Sequence, residues 1–210
     1  MELETIRITG SPMVVEGRSA DLSADLNEDE ILIARCQSGD KAAFGILVRK
    51  YQDLVYRLIY RLLGETPDME DIAQEIFIRA YKGIGRFRGD ARFSTWLTRI
   101  CINYCRKRRH KAKRDLISLE QLMSQGYDFA DGSAMPDRIL ERKEYRELVR
   151  QAIDNLPQKY RIVIILRYFE AYSCEQIAEI LSCPVGTVYS RLFRAHEKLR
   201  KRLKSIGFLK

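Results

Sequence analysis

The C-terminal part of the chain carries residue types that suit the reading of DNA bases. Residues 173–181 predict a short amphipathic helix, and Pro184 and Gly186 mark a tight turn before a second helix. This order predicts a helix-turn-helix, whose second helix enters the major groove. Arginine forms bidentate hydrogen bonds with guanine edges, each worth about 1–3 kcal/mol of discrimination. The side chains expected on the exposed face of the second helix are Thr187, Tyr189, Ser190, Arg191 and Arg194, whereas Val188 and Leu192 are expected to face inward.

A solvated basic surface helix is the alternative interpretation of this segment. Basic residues near a helix end are also favoured by the helix dipole, as at Arg200, Lys201 and Arg202. The turn residues and a capping box formed by Ser173 and Gln176 favour the helix-turn-helix.

A second candidate for nucleic-acid binding lies in the N-terminal half. Residues 106–114 hold seven lysines and arginines in nine positions, a density that favours an anionic partner. An arginine-rich loop with an aromatic residue, residues 86–90, precedes that helix. Aromatic rings beside cations suit unstacked bases and phosphates. Trp96 is better explained as a core residue, since it lies at helical spacing with Leu97 and Ile100.

Two clusters admit a metal-binding interpretation, and in both a simpler one is favoured. The acids of residues 68–75 include Asp71 and Glu75 on one helical face, but acids are expected in the first turns of a helix. Cys101 and Cys105 also share a face, yet no second ligand pair accompanies them. We therefore expect no metal, no cofactor and no catalysis.

The sequence predicts that the elements which position these residues are all helices. A first helix is expected from Asn27 as its cap, followed by a Ser38-Gly39-Asp40 boundary and a long helix that ends at Gly64. The long helix carries an apolar stripe at spacings of three and four residues, which predicts its core-facing side: Phe44, Leu47, Val48, Tyr51, Val55, Leu58, Ile59 and Leu62. Thr66 is expected to cap a third helix with Pro67 at its first position. A fourth helix is predicted over 93–111, and Pro157 starts a later one after a helix over 138–154. The apolar positions expected in the helix after Pro157 are Ile162, Val163, Ile165 and Leu166.

The predicted fold is therefore all-α, with two small helical domains joined by a flexible acidic linker. No strand alternation is present. Residues 115–137 contain no lysine or arginine and five acids, which is typical of a linker. A stretch of 23 residues extends to about 75–80 Å, enough to connect sites two helical turns of DNA apart. The predicted boundaries are a loosely ordered extension at 1–26, domains at 27–113 and 138–210, and a linker at 114–137.

Composition limits the partners and the compartment. The net charge is +8, which favours an anionic partner such as nucleic acid; a merely solvated basic surface is the alternative interpretation. No apolar run reaches the about 18 residues that a membrane-spanning helix needs. The acidic N-terminus lacks signal-peptide character, and five cysteines without paired spacing favour reduced thiols. We expect a cytoplasmic protein with no membrane insertion.

The motifs resemble those of bacterial sigma factors of the extracytoplasmic-function group. Residues 36–112 resemble the second sigma domain, and residues 138–205 resemble the fourth. The stretches that carry the resemblance are Gly39-Asp40-Lys41-Ala42-Ala43-Phe44, Asp71-Ile72-Ala73-Gln74-Glu75-Ile76-Phe77, Phe87-Arg88-Gly89-Asp90, Phe93-Ser94-Thr95-Trp96-Leu97 with Asn103, and Gly186-Thr187-Val188-Tyr189-Ser190-Arg191-Leu192-Phe193-Arg194.

The resemblance implies a subunit that binds core RNA polymerase and directs it to promoter DNA. It implies three surfaces, and residues 157–169 would additionally meet the β flap. The surface for the clamp helices of the β′ subunit is Asp71, Gln74, Glu75 and Phe77. The surface for the minus-ten element is Phe87, Arg88, Gly89, Asp90, Asn103, Arg106, Arg108 and Arg109. The surface for the minus-thirty-five element is Thr187, Tyr189, Ser190, Arg191, Phe193 and Arg194.

The resemblance also implies an anti-sigma protein as a partner. Two features depart from the family pattern. Tyr189 stands where family members often have lysine or arginine, and Arg99 and Ile100 stand where primary sigma factors have tryptophans for strand opening. The alternatives are a helix-turn-helix regulator that acts without polymerase and a metal-dependent nuclease that uses the acids of residues 68–75.

Overall fold

The computed structural model describes the backbone of residues 19–122 and 147–205 and the side chains of residues 28–110 and 147–205. Within these ranges all regular elements are helical, as the sequence predicts. The N-terminal helices are α1 Ser19–Gln37, α2 Lys41–Leu63, α3 Met69–Ile84 and α4 Phe93–Leu122. The C-terminal helices are α5 over 147–154, α6 Gln158–Ile164, a π-helical turn Ile165–Phe169, α7 Cys174–Leu181 and α8 Val185–Ser205.

Helix α2 is the central element of the N-terminal bundle. Its start is set by Asp40, whose carboxylate accepts hydrogen bonds from the amides of Ala42 and Ala43 at 2.9 and 3.2 Å. Its end is set by Gly64, which has a φ of 84°. The predicted apolar stripe is confirmed, because its buried members are Phe44, Leu47, Val55, Leu58, Ile59 and Leu62.

Two predicted helix starts are wrong. Helix α1 begins at Ser19 and passes through Asn27, because the sequence contains no glycine or proline from there to Gly39. Helix α3 begins at Met69 with Asp68 as its N-terminal cap residue, two positions after the predicted start. The Thr66 hydroxyl donates to the Asp68 carboxylate instead of accepting from a backbone amide, so it does not cap the helix.

Helix α4 is longer than predicted. It continues to Leu122, so residues 114–122 of the predicted flexible linker are helical. A change in charge does not break a helix, and the first glycine after Gly89 is Gly126. The rest of the linker, the extension before residue 19 and the start of the helix predicted over 138–154 lie outside the described residues.

The C-terminal helices follow the predicted order with one addition. Pro157 precedes α6, and the predicted apolar residues Ile162, Val163, Ile165 and Leu166 are buried. The π-helical turn was not predicted. It arises where the Glu170 amide donates to the Ile165 carbonyl at 3.2 Å, five residues back. No helix in the described part of the chain is both long and apolar enough to cross a membrane.

The buried side chains of both halves form one continuous hydrophobic core. It runs from α1–α4 into α6 and α7, and α7 packs on α4. The two predicted helical domains therefore lie against each other in this structure. Their predicted boundaries remain a prediction.

Candidate nucleic-acid interface

The helix-turn-helix is built by α7 and α8. The capping box at its start is confirmed: the Gln176 amide donates to the Ser173 hydroxyl at 3.2 Å, and the Ser173 amide donates to the Gln176 side chain at 2.8 Å. Ser182 ends α7 in the left-handed conformation, with a φ of 50°. This reversal places α8 across α7 and exposes one side of α8.

The outer face of α8 presents most of the predicted base-reading residues. Val188 and Leu192 point inward and are buried, as predicted. Tyr189 and Phe193 stand out from the surface with 56% and 66% of their areas exposed. Thr187 and Arg191 are half-buried, whereas Ser190 and Arg194 are exposed. Large exposed aromatic side chains are unusual on a surface that has no partner.

Two of these side chains contact neighbouring elements. Arg194 lies beside Tyr160 of α6 and lowers the pKa of that phenol. Tyr189 lies against the start of α7, where Cys174 and Glu175 raise its pKa. Tyr189 is therefore neutral at physiological pH, because its pKa is raised above the ordinary tyrosine value.

A second exposed face runs along α4. Asn103 and Arg106 are exposed on it, as the predicted minus-ten surface requires. Arg99, Lys107 and His110 are exposed there too, and the sequence interpretation had not assigned them to this surface. The spacing of four residues on either side of Asn103 was the signal that could have identified Arg99 and Lys107.

Two arginines of the predicted minus-ten surface are instead held by the protein. Arg108 forms an ion pair with Asp68 at the start of α3. Arg109 donates to the Leu62 carbonyl at 3.2 Å, which satisfies a backbone oxygen at the end of α2. In this structure these two side chains connect helices.

The loop before α4 is anchored by its aromatic residue. Phe87 is half-buried, and its ring centroid lies 5.2 Å from that of Trp96 and 6.1 Å from that of Phe93. The Gln37 side chain donates to the Phe87 carbonyl at 2.8 Å. Arg88, Gly89 and Asp90 are exposed beyond this anchor, and Gly89 has a φ of 78°. Phe87 thus anchors the loop to the bundle, whereas the tip of the loop at Arg88, Gly89 and Asp90 is exposed.

A groove between α2 and α3 lies on the predicted polymerase-binding side. Its volume is about 540 Å³, and Gln74 and Phe77 line it. Phe77 is mostly buried, so it forms the floor of the groove. Asp71 is exposed and Glu75 pairs with Arg79 at 2.7 Å. The apolar lining also includes Phe44, Val48, Tyr56, Ile78 and Tyr81.

Comparison with known proteins matches each half of the chain to a known protein family. Residues 47–115 match Sigma-70 region 2, and residues 146–199 match Sigma-70, region 4. The RNA polymerase sigma-H factor of Pseudomonas aeruginosa is 40% identical over 184 residues, which cover 85% of this chain and 95% of that protein. The chain belongs to the ECF sigma factors. It is a promoter-specificity subunit of RNA polymerase, and sigma factors are not enzymes in the usual sense.

Two further relatives agree with this assignment. The ECF RNA polymerase sigma factor SigW of Bacillus subtilis is 41% identical to this sigma factor over 180 residues, which cover 83% of this chain and 96% of SigW. The structure of CnrH in complex with the cytosolic domain of CnrY has a TM-score of 0.60 and 26% identity. That match covers 85% of this chain and 98% of CnrH.

Regions 2 and 4 of this sigma factor are joined by polar contacts as well as by the shared core. Glu170, in the loop before α7, forms an ion pair with Arg61 of α2 and lies 4.0 Å from Arg57. Its side chain is only 5% exposed, and burial raises its pKa. Arg61 also stacks over the Phe169 ring, 4.9 Å from the centroid. Region 4 thus rests on the end of α2.

A buried arginine completes this contact. Arg161 of α6 is 3% exposed and donates to the Leu62 carbonyl, the same oxygen that Arg109 contacts. Burial and the neighbouring Arg109 lower the pKa of Arg161 to about 10, so it stays charged at neutral pH. A cation at the C-terminal end of a helix is electrostatically favoured.

The cysteines on α4 pack as small apolar residues. Cys101 and Cys105 are buried, and the hydrogen bond between them together with desolvation raises the pKa of Cys101. Among the described residues, no group of three or more histidine, cysteine or acidic side chains is arranged to hold a metal.

Proposed function

We propose that this sigma factor recognises promoters with two separate faces, α8 for the minus-thirty-five element and α4 with its preceding loop for the minus-ten element. The observation that carries this proposal is the outward presentation of both faces. The helix-turn-helix exposes Ser190, Phe193 and Arg194, and α4 exposes Asn103 and Arg106. Each face combines cations with groups that contact bases.

At the upstream element, the N-terminal half of α8 enters the major groove. The Arg194 guanidinium can form hydrogen bonds with a guanine edge. The Ser190 hydroxyl, at the centre of the face, can donate a hydrogen bond to a base edge or accept one from it. Phe193 offers apolar contact to a thymine methyl group. Tyr189 is neutral, and we propose that it changes the base preference at a position where members of the family often have lysine or arginine.

At the downstream element, the exposed tip Arg88–Asp90 and Asn103 hold one unstacked base. Unstacking a base costs a few kcal/mol of free energy. Contacts to the captured base and to the neighbouring phosphates offset this cost. Arg106 and the previously unassigned Arg99 and Lys107 follow the backbone along the same face. Arg108 and Arg109 take a supporting role, since they connect α4 to α3 and α2.

The groove between α2 and α3 is proposed as the docking site for the clamp helices of the β′ subunit. Gln74 and Phe77 line the groove, with Phe77 as its floor. The exposed Asp71 and the half-buried Glu75 on the same helix are proposed to extend this docking surface. Residues 157–169 are proposed to meet the β flap. CnrH, a similar structure, was captured with the cytosolic domain of CnrY, which supports a regulatory anti-sigma partner for this chain too. We propose that it acts in the cytoplasm without catalysis of its own.

Run-off transcription tests this assignment. The purified protein is combined with core polymerase and a promoter library, and initiation at defined positions is expected. Changes at Asp71 and Gln74 should weaken binding to core polymerase and leave the circular dichroism spectrum unchanged. DNA binding without any polymerase-dependent initiation would instead favour a plain helix-turn-helix regulator. Magnesium-stimulated cleavage of single-stranded DNA would favour a nuclease.

A further inference from the structure

The loop before α4, which carries the exposed tip Arg88–Asp90, is held by a side chain from a different helix. Gln37 is the last residue of α1. Its amide nitrogen donates hydrogen bonds to two backbone carbonyls, that of Ile84 at 3.0 Å and that of Phe87 at 2.8 Å. One amide group therefore holds both the last residue of α3 and the residue that precedes the exposed tip.

The hydrogen bonds of Gln37 complete a turn at the end of α3. Ile84 ends that helix, where carbonyls lack partners within the helix itself. The Phe87 amide donates to the Ile84 carbonyl at 3.0 Å and so closes a tight turn. Gln37 bonds to the carbonyl of each residue, which fixes the first and last residues of this turn relative to α1.

The position of Gln37 is itself set by the corner between α1 and α2. The Arg35 guanidinium donates two hydrogen bonds to the Asp40 carboxylate, at 3.0 and 2.7 Å. The same carboxylate caps α2 through the amides of Ala42 and Ala43. The side chain that holds the loop thus projects from a corner that several hydrogen bonds already define.

The aromatic cluster beneath the loop does not replace these hydrogen bonds. The Phe87 ring packs on Phe93 and Trp96, which holds its side chain in place. The backbone direction depends on the Phe87 carbonyl, because that carbonyl belongs to the planar peptide group that leads into Arg88. By holding the carbonyl, Gln37 determines the direction in which the tip leaves the bundle.

We propose that Gln37 is a positioning residue for base capture, which orders the tip Arg88–Asp90 before DNA binds. This inference rests on the proposed function, in which the tip and Asn103 hold one unstacked base. A loop that must be ordered on binding costs affinity, so a loop ordered in advance binds more tightly. Gln37 contacts no DNA in this role. Its loss should therefore weaken base capture without removing a phosphate contact.

The test uses holoenzyme assembled from core polymerase and the full-length chain. Gln37→Met removes both donors and keeps the length of the side chain, whereas Gln37→Lys restores a donor. The side chain is exposed, so we expect both variants to keep the helical circular dichroism signal.

The probe is a single-stranded oligonucleotide that the wild-type holoenzyme selects from a random pool, with an abasic nucleotide placed at each position in turn. At the captured position the abasic probe should bind the wild type about tenfold more weakly than the intact probe. For Gln37→Met this ratio should fall to about threefold or less, because the tip is no longer ordered in advance. Gln37→Lys should recover most of the wild-type ratio.

A matched control is Gln151→Met, the same change at an exposed position of α5, which should behave as the wild type. In Gln37→Met the slope of log affinity against log salt should stay unchanged, because no phosphate contact is lost. The emission of Trp96, the only tryptophan of the chain, should shift to longer wavelength in Gln37→Met, since Phe87 packs on its ring.

Two outcomes separate this inference from the proposed function. A Gln37→Met protein of lower thermal stability that keeps the full wild-type ratio would give Gln37 a merely structural role and overturn the inference. A wild type that binds the intact and abasic probes equally at every position would instead overturn base capture, and with it the proposed function of the loop.

Discussion

The hydroxyl of Thr98 lies 2.9 Å from the hydroxyl of Tyr172, and both residues are buried. Thr98 belongs to α4 of region 2, and Tyr172 precedes α7 of region 4. A buried polar group that loses its hydrogen-bond partner destabilises the fold. This pair therefore couples the two regions, and burial raises the pKa of Tyr172 accordingly.

The first prediction concerns that pair. Tyr172→Phe should lower the free energy of unfolding by about 1–2 kcal/mol, because the Thr98 hydroxyl loses its partner. Thr98→Val should also destabilise the protein, and the double variant should cost less than the sum of the two single changes. Urea unfolding measures all four proteins. Strict additivity would mean that the two hydroxyls do not interact.

The second prediction separates two neighbouring arginines of α4. Arg106→Ala should weaken binding to single-stranded minus-ten DNA and reduce the slope of log affinity against log salt by about 0.7, since one exposed phosphate contact is lost. Arg108→Ala should change DNA affinity little and lower thermal stability, because Arg108 pairs with Asp68. Equal losses of DNA affinity in both variants would contradict a supporting role for Arg108.

The third prediction concerns base reading by α8. Arg194→Ala should relax discrimination at one upstream base pair by about 1–3 kcal/mol and weaken the other sequences much less. Arg202→Ala, in the last turn of the same helix, should act equally on all sequences. Binding to a panel of single-base promoter variants measures both. A uniform loss for Arg194→Ala would assign that guanidinium to a phosphate.

The fourth prediction compares two glycines inside helices. Gly45→Ala should stabilise the protein by about 0.5–1 kcal/mol, because the new methyl group meets only the Arg49 side chain at 3.8 Å. Gly83→Ala should gain less, since its methyl group would approach the Trp96 ring to 3.2 Å. Thermal unfolding gives both stabilities. Tryptophan fluorescence should shift only in Gly83→Ala, and a shift in both variants would count against this explanation.

The fifth prediction concerns acid stability at the start of α2. Hydrogen bonds from Arg35 and from the α2 amides lower the pKa of Asp40 below its ordinary value. The stabilisation is therefore fully present above the ordinary aspartate pKa and disappears as the pH falls through the lowered value. Asp40→Asn keeps the cap but should remove this pH dependence. Unfolding curves measured between pH 5 and pH 2 test it, and identical pH profiles would refute it.

Local sequence patterns were sufficient for much of the helical structure. The stripe of α2, its Asp40 and Gly64 boundaries and the Ser173 capping box depend on residues within one or two turns of each other, and each was predicted correctly. The start of α3 was predicted wrongly. The Thr66 hydroxyl donates a hydrogen bond to the Asp68 carboxylate, whereas a helix cap would accept one from a backbone amide. The length of α4 was missed because charge was treated as a boundary signal.

The sequence by itself determined the helical class, the order of the two regions and the exposure of Tyr189, Ser190 and Arg194 on α8, because helical periodicity and turn chemistry act over short distances. Thr187 and Arg191, expected on the same exposed face, are half-buried. Only the tertiary structure decided that Arg108 and Arg109 connect helices and that region 4 closes onto region 2. The Arg61–Glu170 and Arg161–Leu62 contacts join residues about a hundred positions apart. Such pairings depend on which surfaces meet as the helices pack, and no spacing along the chain specifies that choice.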